Sequence, residues 1–175
     1  MTVLEGMKEL KLIVKRMGNN TAEIQKLSSQ PSNIKPLMAE GADAQRKKIR
    51  ELAQANEDLA KRYILLNAKI NYTNLFTTVE IEGVKYSLND LLQYRRILAK
   101  SIEGGYVAMN DNNFTHQTLA SSRQGGGYSG DVTIERYYDE TFKQNQLEKW
   151  QTFYHNIDSR LEVKNATTEL LDLPA

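Results

Sequence analysis

The sequence predicts an all-α protein, an antiparallel helical bundle or coiled coil with two long helices and a small β-hairpin insertion. Three observations carry that expectation. Apolar or small residues recur at alternating spacings of four and three over Val3, Met7, Leu10, Val14, Met17, Thr21 and Ile24, the seam by which one helix faces another. The same rule returns over Ile49, Leu52, Asn56, Leu59, Tyr63, Leu66, Ile70 and Thr73. After it, "TTVEIEGVKYS" alternates β-branched or aromatic side chains with charged ones, the period-two pattern of short strands joined at Glu82-Gly83.

The first helix is predicted from about residue 2 to 28. Gly18 weakens its middle by ~1 kcal/mol relative to Ala, but the seam keeps its phase across that point, so the helix is expected to continue. "SSQPSNIKP" then ends it, because two closely spaced prolines remove backbone donors and clash with the preceding turn. The second helix is predicted from about 38 to 73. Its one polar seam residue, Asn56, reads as a register-setting device. Ser87, with Asp90 three residues on, caps a third helix whose buried side is expected to hold Leu88, Leu91, Leu92, Leu98 and Ile102. Residues 109–131 are polar and glycine-rich, and are expected to form a mobile loop. A fourth helix is predicted from about 132 to 165, with Ile134, Tyr138, Phe142, Leu147, Trp150, Tyr154, Ile157 and Leu161 inward, its phase slipping after Phe142. "TTELLDLPA" is expected to pack back as a short tail.

Composition narrows the function classes. The 175 residues suit a single domain, 1–175. With 23 Lys plus Arg against 22 Asp plus Glu, the net charge of +1 supplies no general field for nucleic acid or an anionic membrane, so neither is an expected partner. The absence of cysteine removes disulfides, thiolate nucleophiles and Cys-based metal sites. No stretch has the length and apolarity of a membrane span or signal peptide, and a cytoplasmic location is expected. His116 and His155 are the only imidazoles. His155 with Asp158 makes half a metal site at most, so no metal and no cofactor are expected. No nucleophile, base and orienting group fall into a catalytic order, and the protein is expected not to be an enzyme.

Several polar features suggest ligand binding instead. "NAKINYTNLFTT" and "DSRLEVKNATTE" place Asn74 and Thr77, and Asn165 and Thr168, at matching positions near two helix ends. Either the two Asn residues close their helices in the left-handed conformation, or the two ends share a polar pocket of amides and hydroxyls. The segment "SSRQGGGYSG" lacks the lysine and the preceding strand of a phosphate loop. It is either a flexible linker or an anion-accepting turn, with Arg123 as donor and Tyr128 as stacking ring. Arg95 and Arg96 in "LLQYRRILAK" are either a solvated face or a bidentate clamp for phosphate or carboxylate, with Tyr94, Tyr128 and Tyr137 stacking on a base or ring. The aromatic run "WQTFYHNI" reads as core before it reads as a stacking platform.

"LNAKINYTN", "YSLNDLLQYRRILAKSI" and "IDSRLEVKNATTELLDL" together resemble a bacterial and phage family of helical proteins often labelled septicolysin, over roughly residues 1 to 173. The resemblance implies a helical bundle with a small β-hairpin and no established enzymatic activity. This chain departs from the family pattern in its longer glycine-rich segment. Long heptad helices leave apolar stripes that one small chain buries only in part, so a homo-oligomer is expected. The expected function is capture of a small anionic ligand, a nucleotide above all, by Arg123, Arg95, Arg96, Asn74, Thr77, Asn165, Thr168 and Tyr128. In a phage that would make the protein a sponge for a signalling nucleotide. The alternative is a structural or adaptor protein that binds another protein through its long helices.

Overall fold

The computed structural model describes residues 1–111 and 135–174. Arg123, Tyr128, His116, Ile134 and the glycine-rich segment lie outside them. The chain is mostly helical, with one two-stranded antiparallel sheet. In order come α1 (Val3–Ser28), α2 (Ala42–Phe76), β1 (Thr78–Ile81), β2 (Val84–Ser87), α3 (Leu88–Gln93), a π turn (Tyr94–Leu98), α4 (Ala99–Val107) and α5 (Glu140–Thr167).

Helix α1 starts on a reciprocal capping box. The Thr2 hydroxyl accepts from the Glu5 amide, and the Glu5 carboxylate accepts from the Thr2 amide at 2.8 Å. It runs unbroken through Gly18 to Ser28, as the continuous seam requires. Helix α2 returns antiparallel along it. Arg62 pairs with Glu9, Asn20 donates to Asn56, and Gln45 donates to the Leu27 carbonyl, so rising numbers in one helix meet falling numbers in the other. The Asn56 side chain also donates to the Thr21 hydroxyl at 3.4 Å, which gives the polar seam residue cross-helix partners.

The expected inward residues of α2 are all buried or half-buried. In α1, Val3, Met7, Leu10, Met17 and Ile24 are buried or half-buried as expected, but Val14 is 57% exposed, Thr21 lies on the surface, and the most deeply covered residues are Val3, Gly6, Ile13 and Leu27. The position of the neighbouring helix decides which flank of the apolar face is covered.

The β-hairpin pairs Val79 with Tyr86 and Ile81 with Val84. Glu82 and Gly83 both have positive φ, at 53° and 80°, the combination a tight two-residue hairpin turn demands. Ser87 then caps α3 through the expected box with Asp90. Val79 and Ile81 from β1, Leu88 and Leu91 from α3, and Phe153, Ile157 and Leu161 from α5 form the core. Ile157 is fully buried, so truncating it to Ala is expected to cost about 2–5 kcal/mol.

The third helix is interrupted by the π turn, where the Ala99 amide donates to the Tyr94 carbonyl five residues back. The extra residue advances the phase by one. Ala99 is buried, and Leu98, expected inside, is 42% exposed. The fourth helix begins at Glu140 rather than near 132, because the Asp139 carboxylate accepts from the Thr141 and Phe142 amides and caps it there. Its inward residues are Trp150, Phe153, Ile157 and Leu161. Phe153 takes the place expected for Tyr154, which is half-buried, and Phe142 is exposed.

The tail packs back as expected. The Val3 amide donates to the Thr168 carbonyl and the Leu170 amide to the Met1 carbonyl, joining the two ends of the chain in an isolated antiparallel bridge. Among the described residues no helix is long and apolar enough to cross a membrane.

Candidate functional site

Consecutive side chains at the start of the π turn line two different cavities along α5. Tyr94 enters an aromatic pocket and Arg95 a polar one.

The polar cavity, about 410 Å³, is lined by Leu4, Arg95, Asp158, Glu162, Asn165 and Ala166. It brings together two residues that the sequence offered separately, Arg95 and Asn165. The Arg95 guanidinium lies 3.2 Å from the Asp158 carboxylate, with both side chains about half exposed, so the pair contributes at most ~1 kcal/mol. One cation facing two carboxylates leaves the lining net negative, which weighs against an anion here. Arg96 is exposed on the same turn and forms no ion pair among the described residues.

The two Asn/Thr helix ends are built differently from the capping expectation. Thr77 and Thr168, in extended conformation, are the C-caps, their amides donating to the Thr73 and Lys164 carbonyls. Asn74 and Asn165 sit inside the last turns. Neither has a positive φ, so neither closes its helix in the left-handed way. The two ends flank the start of α1 and are tied by the tail. Thr73, fully buried, donates its hydroxyl to the Lys69 carbonyl at 2.7 Å and accepts from the Leu171 amide at 2.9 Å. No hydrogen bond joins the two ends directly among the described residues. Asn74 is 7% exposed, and its Oδ1 is buried without a hydrogen-bond partner.

The aromatic pocket is the better-formed recess. Tyr86 from β2, Tyr94 from the π turn, and Trp150 and Phe153 from α5 line about 220 Å³, with Ile81 and Val84 of the hairpin strands completing the wall and Glu82 and Lys149 supplying charge. The rings of Tyr94 and Trp150 are inclined by only 26° with centroids 6.4 Å apart. Phe153 stands nearly perpendicular to both, at 5.5 Å from each. Tyr86 meets Tyr94 edge-on at 5.9 Å. Such packing fixes the rings by mutual quadrupole contacts and leaves π surface toward the recess. The volume is below the ~300–1,000 Å³ usual for a site that engulfs a drug-sized ligand. It admits a single flat ring and leaves any substituent at the mouth.

The sequence places the run "WQTFYHNI" in the core and offers only Tyr94 of this recess as a stacking ring. The run is indeed partly core, since Phe153 is buried. Glu82 and Lys149 carried no sequence signal, because the first is a hairpin-turn residue and the second a surface position on a helix, and only the fold brings them to one rim.

The perturbed carboxylates lie elsewhere. Arg136 grips Asp111 through Nε, at 2.8 and 2.9 Å to the two carboxylate oxygens, and also through Nη2. That hydrogen bonding holds the Asp111 carboxyl below the ordinary carboxylate range and raises the Arg136 guanidinium. Burial, followed by the Asp111 charge, pushes the Tyr138 phenol up. The Gln144 amide lowers Glu140, and the Lys69 ammonium lowers Asp172. These are ion-pair, hydrogen-bond and burial effects outside both cavities. Among the described residues no group of three or more His, Asp or Glu side chains gathers as a metal site would.

No family model matches the chain, and neither a curated protein nor a solved structure is similar enough to it to be matched.

Proposed function

We propose that the protein is a non-enzymatic, oligomeric binding protein of the helical-bundle type, and that it captures a small anionic ligand bearing a flat ring, of the nucleotide class. The reading is carried by one observation, the recess of Tyr86, Tyr94, Trp150 and Phe153 with Lys149 and Glu82 at its edge. A ring stacked there gains ~1–3 kcal/mol in all and needs no base-specific hydrogen bond. A phosphate that cannot fit inside the recess meets the Lys149 ammonium at the mouth. The Glu82 carboxylate accepts from a ring amine or a sugar hydroxyl. Tyr94 of this site immediately precedes Arg95 and Arg96 in the chain, but neither arginine lines the recess. In a phage setting such a protein sequesters a signalling nucleotide.

Trp150 is the only tryptophan of the chain, so its fluorescence reports the site without a label. Titration with a panel of purine and pyrimidine mononucleotides is expected to quench it saturably. Lys149→Ala is expected to weaken binding of the nucleotides by about tenfold while leaving that of the nucleosides unchanged. Native mass spectrometry of protein purified from cells, followed by denaturing release, checks for a resident ligand. No quench with any of the panel, together with an empty protein, sinks the reading.

A second reading, a structural or adaptor protein acting through its long helices, is favoured by the apolar side chains that α1 and α2 leave exposed, Val14, Ile64 and Leu65 among them.

A further inference from the structure

The apolar face of helix α1 is wider than the strip the described chain buries. Val3, Gly6, Ile13 and Leu27 are buried. Beside them the half-buried Met7 and Leu10 and the exposed Val14, at spacings of three and four, line with the half-buried Tyr63 of α2 an open groove of about 410 Å³ whose one charged lining residue is Lys11. A helix with so wide an apolar face packs against two neighbours, as in bundles of three or more helices. Here α2 is one neighbour. Helix α5 and the tail meet α1 around Leu4 and Val3, a turn or more short of Leu10 and Val14.

Charge decides what fits the open groove. Residues 1–76 hold 13 Lys plus Arg and 8 Asp plus Glu, a net +5, whereas residues 77–175 hold 10 and 14, a net −4. Around the groove Lys8, Lys11, Lys15 and Arg16 are exposed. Two copies packed hairpin to hairpin bring these cations together, which opposes that arrangement. The junction of α4 and α5 offers the complement. Val107, Tyr137 and Phe142 are exposed where α4 ends and α5 begins, Phe142 lying 6.1 Å from the Tyr106 ring. Glu135, Asp139 and Glu140 are exposed beside them; Arg136 is held by Asp111 and Lys143 by Glu140, so the junction keeps a net negative charge.

We infer that the groove of Met7, Leu10, Val14 and Tyr63 is a self-docking surface: a second copy of this chain seats its acidic α4–α5 end on the basic α1–α2 hairpin of the first. The reciprocal contact closes a two-fold dimer, in which the same two patches are used by both copies. This deepens the self-association part of the proposed function and is independent of the ligand.

Sedimentation velocity over a range of protein concentrations tests it, at ~50 and ~500 mM salt, which screens exposed charge to ~14 and ~4 Å respectively. The expected result is a dimer whose dissociation constant rises with salt. Val14→Asp, at a side chain already exposed, is expected to weaken the dimer at least about tenfold with an unchanged circular dichroism spectrum, and Lys11→Glu to weaken it as well. A monomer at every concentration, a dimer that tightens with salt or with Lys11→Glu, or indifference to Val14→Asp overturns the inference. None of these outcomes alters the Trp150 titration, so failure of the dimer and failure of ligand capture are read separately.

Discussion

Thr73 is expected to be the side chain on which the C-terminal tail depends. Its hydroxyl is fully buried between α2 and the tail, donating to the Lys69 carbonyl and accepting from the Leu171 amide. Thr73→Val keeps the shape and deletes the oxygen. The Lys69 carbonyl still lies within the helical ladder, but the Leu171 amide loses its acceptor. An amide stranded in that way costs about 1–3 kcal/mol. In addition, a methyl group now stands where an oxygen accepted at 2.9 Å, while nonpolar contact prefers about 3.5–4.0 Å, so the tail is pushed outward by about half an ångström or more. We expect a loss of about 2 kcal/mol, which in a chain of this size lowers Tm by about 4–8 °C. Thr73→Ser keeps both hydrogen bonds and gives up one methyl group, about 0.8 kcal/mol. Thermal unfolding followed by circular dichroism ranks the two variants, and amide hydrogen exchange locates the effect. The valine variant should lose protection at Val3, Leu170 and Leu171, whose amides anchor the tail. The serine variant should retain it. If valine is no more damaging than serine, or if those three amides exchange as in the wild type, packing rather than the hydrogen bond holds the tail and the reasoning fails.

Other consequences are open to equally direct checks. Asn56→Leu replaces a polar seam residue bonded to Asn20 and Thr21 and is expected to raise stability by about 1 kcal/mol while relaxing the α1–α2 register, seen as a higher denaturation midpoint with broadened NMR lines in the hairpin. Gly6→Val is expected to destabilise by about 1–3 kcal/mol, because even a Cβ at Gly6 lies 3.2 Å from the Ile70 and Leu170 methyl carbons; denaturant unfolding measures it. The Asp111–Arg136 pair is stabilising wherever the carboxylate is charged. Because its folded pKa is lowered, chiefly by the Arg136 hydrogen bonds, that contribution is complete above the unfolded value of ~3.9 and vanishes as pH falls through the folded one. The Arg136 side-chain NMR signals should shift in that acidic window in the wild type and stay constant in Asp111→Asn.

Much of the architecture was legible in the chain itself. Spacings of three and four on α1 and α2, two prolines between them, alternation ending at Glu82-Gly83, and the Ser87–Asp90 box are local patterns, and each acts through backbone geometry that neighbouring residues alone impose. Other matters needed the fold. Whether Val14 or Ile13 faces inward depends on where α2 lies, since both satisfy the same period. The π turn is invisible in "LLQYRRIL", yet its one added residue exchanges Leu98 for Ala99 in the core. The candidate site shows the same division. The sequence singled out Arg95 and Asn165 as polar residues, and tertiary structure joined them in one cavity while adding two carboxylates that offset the charge. Of the aromatic recess it marked Tyr94 alone, because Tyr86, Tyr94 and Trp150 belong to three elements whose approach is settled by packing against Phe153, an effect of long range that no local spacing encodes.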